Sequence, residues 1–482
     1  MVFVPEQLAE TYGVGASVQL GVKATFRAPL SGGVHVSIVD AAGVLMPEVT
    51  IKPDPAKEDS YFATFQTKPS LPQGRHQGRL ELRLCRDPGC STQHPGSPWY
   101  LPYDFQIIPD TNLTLLTRWT QVPDWEMFQG NAAHTSYVPV TLDASRFSPR
   151  WHWTAPENTG GLSSLAVANG LIYLSSPEYS SSNTRPRLFA LRESDSGKQW
   201  QFDFSAHELN PPAVSGGKVY VATSGHSTTF MWSFDAATGA QLSKAAFYSQ
   251  WQRYKAPTIE GGVVYTNGGS YGGMYAFSFA DGVQRWFQQL PQYDEWTPAV
   301  DAKYAYAYTG GLFSALDKST GEVAFTINDP VEQLMRITGT PVIGSNGSVL
   351  VVNDGMNVVS FNPVSRAKNW SLAGRYGSLA SANGVLYVTN TSPYGLEARS
   401  EATGELLWSW APVLPEGFLY SGGEVLVTDN LVFVSTSRRV YAIDLTTHKP
   451  VWSYWEPGRL ALSANGVLYV QGKNSLGAVN LK

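Results

Sequence analysis

From about residue 160 to the C terminus, short runs rich in Val, Tyr and Leu alternate with small or polar residues and are cut at intervals by Gly-Gly or Asn-Gly pairs. Alternation with a period of two places successive side chains on opposite faces of a strand, and such pairs tolerate the positive φ of a tight hairpin turn. The clearest copy is Pro212-Ala213-Val214-Ser215-Gly216-Gly217-Lys218-Val219-Tyr220-Val221, followed by Asp235-Ala236-Ala237-Thr238-Gly239. The phrase returns at Pro257–Tyr265, Pro298–Tyr306, Pro341–Leu350 and Leu379–Tyr387, and more weakly before Tyr173, Phe433 and Tyr469. The anchors of these eight copies stand 36 to 47 residues apart. A repeat of that length made of short strands and turns predicts one propeller blade per copy. The second half of a copy ends in another turn and usually a ring, as at Ser196-Gly197-Lys198-Gln199-Trp200 and Thr403–Trp408. A flat ring at one place per blade suits packing between neighbouring sheets.

The last copy, Ala461–Leu481, holds three strands and stops before the ring-bearing fourth. Arg150-Trp151-His152-Trp153 is expected to supply it, so that the two ends of the repeat region pair, close the ring and remove two exposed sheet edges. Residues 1 to about 110 lack the phrase and contain one of the 15 tryptophans, Trp99. Val18–Phe26, Gly33–Asp40, Tyr61–Lys68, Arg79–Cys85 and Trp99–Ile108 read there as strands separated by turn clusters. The predicted organisation is all-β: an immunoglobulin-like β-sandwich over 1–110, a linker over 111–124 and an eight-bladed β-propeller over 125–482.

Composition narrows the function classes. With 34 basic and 39 acidic residues the formal charge is −5, and no run of five like charges occurs. Neither nucleic-acid binding nor polybasic membrane attachment is supported. No apolar stretch approaches 18 residues, so no membrane-spanning helix is expected. The start, Met1-Val2-Phe3-Val4-Pro5, has no charged segment followed by an apolar one. The expected periplasmic or extracellular location therefore assumes that a signal sequence has been removed. Cys85 and Cys90 are the only cysteines and flank Asp87-Pro88-Gly89. Turn chemistry between them allows a disulfide; two free thiols, or two of the four ligands of a zinc site, are the alternatives.

The copies Leu188–Trp200, Leu312–Phe325 and Val440–Trp452 resemble the repeat of the quinoprotein-like (PQQ-like) eight-bladed propellers, in which Ala-x-Asp-x-x-Thr-Gly leads to a docking tryptophan. Trp125–Pro139 resembles the segment that leads into the first blade of these propellers. The resemblance spans about residues 124 to 482 and implies a fold more than a function. The family's dehydrogenases hold a quinone and a calcium ion over the axis, often beside a disulfide of adjacent cysteines. Here no cysteine follows Cys90, and no Glu, Asn and Asp set matches the calcium site. The resemblance thus leans to the non-enzymatic branch, similar to the periplasmic propeller lipoprotein of the outer-membrane assembly machine. That lipoprotein lacks a front immunoglobulin-like domain, so its partner does not carry over. No cofactor is expected, with PQQ and Ca²⁺ left as the alternative.

Candidate chemistry is sparse. None of the eight histidines stands in a ligand spacing, and His134, in Asn131-Ala132-Ala133-His134, reads as a buried tie between the lead-in strap and the ring. Gly268–Gly273 is read as a hairpin and not a phosphate cradle, because no helix start follows it. Asn353-Asp354-Gly355 and Glu193-Ser194-Asp195-Ser196 read as ordinary turns and not as calcium loops. The segments crossing from the outer edge of one blade to the axis carry Asn210, Trp251, Arg253, Tyr254, Lys255, Glu295, Trp296, Arg336, Arg375, Tyr376, Tyr420 and Arg459. Aromatic and arginine side chains gathered at a common rim are the types that anchor a protein or small-ligand partner. The expected function is that of a monomeric binding or scaffold protein of the bacterial cell envelope. The alternatives are a quinone-dependent oxidoreductase acting on alcohols or sugars, and a carbohydrate-binding protein using Trp99, Tyr100 and Tyr103.

Overall fold

The computed structural model describes the whole chain except residues 27–34, 55–56, 58, 158, 177–184, 226–227, 249–255, 269–271, 292–295, 330–337, 354–355 and 413–423. The chain divides into two compact units, one formed mainly by Met1–Asn112 and the other mainly by residues from Leu113 to the C terminus. Both are built from strands; among the described residues the single helical element is the short 3₁₀ turn Ala144–Arg146.

The first unit packs two four-stranded sheets on a shared core. One sheet orders Val2–Val4, Gln19–Thr25, Ser60–Thr67 and Leu45–Pro53; the other orders Leu8–Gly13, Trp99–Ile108, Gly74–Cys85 and His35–Val39. Leu8–Gly13 runs parallel to Trp99–Ile108, and the remaining pairs are antiparallel. Alternate residues such as Leu20, Val22, Phe65, Leu80 and Phe105 fill the space between the sheets, as period-two patterning requires. Cys85 and Cys90 form a disulfide. Between them the Asp87 carboxylate accepts from the Ser91 and Thr92 amides and the Ser91 hydroxyl, which holds its pKa below the usual range.

In the second unit eight sheets follow one another among the described residues, here numbered blades 1 to 8 in chain order. Their first strands are Ala166–Ala168, Ala213–Ser215, Thr258–Glu260, Ala299–Val300, Pro341–Ile343, Tyr376–Ala382, Val425–Val427 and Arg459–Leu462. These first strands neighbour one another in order from blade 1 to blade 8. Blade 8 takes its fourth strand from far back in the chain: Ser148–Thr154 pairs with Ser475–Asn480. Side chains then join blade 8 to blade 1. Trp151 Nε1 and Arg150 Nε both donate to the Glu193 carbonyl, at 3.0 and 3.2 Å, and Arg150 also reaches the Ser194 carbonyl. The Glu193 carboxylate accepts from the Ser463 hydroxyl and, at 2.7 Å, from Asn465 Nδ2.

The ring at the end of a copy performs the same job further round. Trp200 of blade 1 donates to the Ala236 carbonyl of blade 2, Trp286 of blade 3 to Lys318 of blade 4, and Trp370 of blade 5 to Glu401 of blade 6. Each indole lies over the glycine of the next blade's Thr-Gly turn, Gly239, Gly321 or Gly404, all with φ between 74° and 79°. A side chain there would meet the ring and strain the backbone. Blade 6 uses a variant: Trp408 stacks on His448, which adopts φ 57° at the glycine position, with ring centroids 4.5 Å apart. Replacing Trp286 by Ala should therefore destabilise the propeller by about 3–5 kcal/mol, while Trp286→Phe, which loses chiefly the indole hydrogen bond, should cost about 1 kcal/mol. Thermal unfolding of the two variants beside the parent chain measures the difference.

Candidate functional site

The axis of the propeller is filled at one end by the chain itself. The innermost strand of each blade has one edge without a sheet partner, so its axis-facing N–H groups need acceptors from elsewhere. The strap Trp125–Val140 provides them. The carbonyl of Trp125 accepts from Val167 of blade 1, Glu126 from Val214 of blade 2, Ala132 from Val300 of blade 4, Ala133 from Ile343 of blade 5, Thr135 from Ser381 of blade 6, and Ser136 from Val427 of blade 7, all at 2.7–2.9 Å. Each donor holds the same position in its copy, one residue after the first-strand partner of that copy's anchor (Tyr173, Tyr220, Tyr306, Leu350, Tyr387 or Phe433). Val138 donates back to Val427, and Asp429 donates to Val140.

Inside the strap, turns closed by Gly130 N to Met127 O, His134 N to Asn131 O and Ser136 N to Gln129 O fold the segment across the axis. Gln129, Gly130, His134 and Ser136 adopt φ values of 53°, 90°, 60° and 52°. His134 is the buried tie that its sequence context predicts. Its Nδ1–H donates to the Pro341 carbonyl at 3.0 Å, and its Nε2 lies 3.1 Å from the Thr258 hydroxyl, which also reaches the Pro298 carbonyl. Phe128 packs edge-on against the imidazole. Complete burial pulls the His134 pKa down to about 4.

The crossing segments lie at the other end of the blades, because antiparallel strands put the first and third turns at one end and the crossings at the other. Of the expected rim, Arg375 is exposed, and Arg459 is half-buried with its guanidinium 3.4 Å from the Leu162 carbonyl. Trp296 and Tyr376 do not stand on an accessible rim. Trp296 is 1% exposed and packs with Tyr265, Leu290 and Val300 between blades 3 and 4. Tyr376, 5% exposed, packs with Val342 and Leu350 between blades 5 and 6. Each sits where the crossing chain has already descended into the space between sheets. Asn210 is buried, with Nδ2 on the Ala222 carbonyl. Trp251, Arg253, Tyr254, Lys255 and Arg336, with Glu295 and Tyr420, lie outside the described residues.

The buried carboxylates of the propeller do not fit a calcium-bound quinone. Glu193 joins blades 8 and 1 as above. Glu401 takes the Ser345 and Ser381 hydroxyls of blades 5 and 6, Glu424 the Ser378 hydroxyl, and Asp329 the Lys368 ammonium and Tyr308 hydroxyl. These oxygens lie between sheets, and among the described residues no three His, Cys, Asp or Glu side chains converge as metal ligands. The turn at Glu193–Ser196 is likewise occupied internally, Asp195 holding Arg192 and the Gly197 amide. Gly268 N donates to the Gly273 carbonyl, closing a hairpin around residues 269–271, which lie outside the described residues, as do Asp354 and Gly355. In the first unit the aromatic trio is split by strand alternation. Tyr103 is buried against Phe105 and Trp99 packs on the core, whereas Tyr100 is exposed on the other face with Arg79 over its ring.

Sequence reasoning missed a cavity of about 280 Å³ between the strap and the turns of blades 2 and 3, lined in part by Glu126, Met127, Ile259, Glu260 and Phe279. Burial raises the pKa of Glu126 there, against a hydrogen bond from Ser215. No sequence signal marks it, because it follows from the five strap residues that separate the blade 2 contact from the blade 4 contact, and those contacts are set by the tertiary structure.

The family profile described as outer membrane protein assembly factor BamB matches residues 142–256 and 231–410. Among solved structures, the chain is similar to BamB from Moraxella catarrhalis at 15% identity and a TM-score of 0.55, covering 69% of this chain and 99% of that one. It is similar to the quinohemoprotein alcohol dehydrogenase from Comamonas testosteroni at 14% identity and a TM-score of 0.57, covering 74% and 80%. The computationally designed Ika8 protein aligns at 10% identity and a TM-score of 0.53, covering 68% and 98%. At such identities these likenesses establish the propeller fold alone. No curated protein matches the chain significantly.

The His134 tie makes stability depend on pH. Above pH 6.5 the ring is neutral in both folded and unfolded chains and its contribution is constant. As the pH falls from 6.5 to about 4, the unfolded chain takes up a proton that the folded ring refuses. Stability is then lost by up to about 3 kcal/mol, and the loss levels off below pH 4. Urea unfolding at pH 7.5, 6 and 4.5 should show this extra slope in the parent chain and not in His134→Gln, the difference between the two cancelling the other titrating groups.

Proposed function

The chain belongs to the PQQ-like repeat family described as outer membrane protein assembly factor BamB, and from that premise we propose that it is a monomeric binding scaffold of the bacterial cell envelope. The observation that supports this most is the strap, whose carbonyls tie six blades to one segment and fill one end of the axis. A ring held from its centre keeps its surface loops at fixed positions, which lowers the ordering cost of binding a partner. On this reading the crossing end is the working face, and Arg375 and Arg459 stand on it, with Trp251, Arg253, Tyr254, Lys255 and Arg336 proposed to complete it. Arginine suits that place because its fork offers paired donors to carboxylates of a protein partner. The first unit positions the propeller or engages a second partner. The Cys85–Cys90 disulfide accords with a periplasmic or extracellular location, and among the described residues no helix is long and apolar enough to cross a membrane.

The triple variant Arg336→Ala, Arg375→Ala and Arg459→Ala tests the working face. Affinity capture from bacterial envelope extract, quantified by mass spectrometry, should show at least one partner of the parent chain reduced tenfold or more, with unfolding temperature unchanged within a few degrees. An unchanged set of partners would overturn this assignment.

A further inference from the structure

The strap treats blade 3 differently from its neighbours. The Glu126 carbonyl serves Val214 of blade 2 and the Ala132 carbonyl serves Val300 of blade 4. Between them Met127–Asn131 turn away through the Gly130-to-Met127 hydrogen bond. The position in blade 3 that matches Val214 and Val300 is Ile259, which is 7% exposed. Its N–H has no partner among the described residues. In blades 1, 2, 4, 5, 6 and 7 the register aims this group at a strap carbonyl; at blade 3 it faces the 280 Å³ cavity left by the detour, which opens to solvent. In the free chain water can meet this donor, and the cavity has room for a main-chain carbonyl from outside to take the water's place.

The other walls define what accompanies that acceptor. Glu126 and Glu260 line the cavity, and neither has an ion-pair partner among the described residues, whereas the adjacent Asp124 is held by Arg118. Two ammonium groups stand at the margin, and both are occupied: Lys218 donates to the Phe279 and Ala280 carbonyls, and Lys318 to the Asp301 carbonyl. Met127 and the Phe279 ring supply apolar surface. Carboxylates beside an apolar wall complement a guanidinium, which pairs with carboxylates through its fork and sheds water more readily than an ammonium. The volume lies at the low end for ligand pockets and suits one side chain with its main chain.

We propose that this cavity docks an extended segment of a partner protein, which offers a main-chain carbonyl to Ile259 N–H and an arginine side chain to Glu126 and Glu260. The site lies at the strap end of the blades, so it stands or falls separately from the crossing-end face. A fluorescein-labelled, capped short peptide with a central arginine tests it by polarisation against the full chain, beside the same peptide carrying glutamine and beside free arginine amide. The arginine peptide should bind at least tenfold more tightly than either control, and Glu126→Gln with Glu260→Gln should remove that preference. Glu260→Gln alone, at a half-exposed position, keeps the test valid if the double variant melts early and should reduce the preference severalfold. The crossing-end variant Arg375→Ala with Arg459→Ala should bind the arginine peptide as the parent does. Equal binding of arginine and glutamine peptides, binding unchanged by the Glu substitutions, or no binding at millimolar peptide would overturn the proposal. Arginine amide binding as tightly as the peptide would overturn the role of Ile259.

Discussion

The row of hydrogen bonds between the strap carbonyls and the innermost strands is the constraint on which the rest of this propeller depends. A blade is an open sheet, and its first strand carries donors toward the axis that no other strand of the blade can satisfy. Water could serve them in a wide channel, but here residues such as Val167, Val214 and Val300 are buried against the strap. One segment that visits six blades in order satisfies six donors and simultaneously fixes the order in which the sheets surround it. His134 extends the same function to side chains, reaching blade 5 again and blade 3 for the first time from a ring whose burial keeps it neutral.

At the outer part of the ring, the contact between blades is different in kind. Docking indoles cover glycine turns and donate to the carbonyls beneath them, so each combines apolar burial with one directional bond. Buried carboxylates add a second set of inter-blade ties, and each is met by hydroxyls, an amide or an ammonium from the sheets it joins. Satisfied in this way, charges between sheets select one arrangement of blades over others. The same occupation leaves those particular oxygens engaged by protein partners and not free to hold a metal.

Much of the architecture was legible because its causes are local. Strand alternation, Gly-Gly and Asn-Gly hairpins and the Thr-Gly turn before a ring repeat with little interference from distant residues, and the missing fourth strand of the last copy pointed to Arg150–Trp153. In the first unit Leu8–Gly13 and Leu45–Pro53 escaped notice. The first carries Glu10 between small residues, and the second is an exposed strand with Pro47 and Pro53 in it, so neither has clean alternation. The exposure of crossing residues was also illegible. Arg375 and Tyr376 are adjacent, yet one faces solvent and the other enters the space between two blades.

The sequence by itself determined the repeat, its strands and turns, the all-β class and the pairing of the two ends of the ring, since each follows from neighbours within a few residues or from counting copies. Only the tertiary structure decided which carbonyl of the strap meets which blade, that Trp296 serves the core, and that Ile259 is left facing a cavity. Those outcomes depend on where segments more than a hundred residues apart come to lie. A detour of five residues in the strap changes the surroundings of a strand whose own sequence is like that of its neighbours, and no local pattern records it.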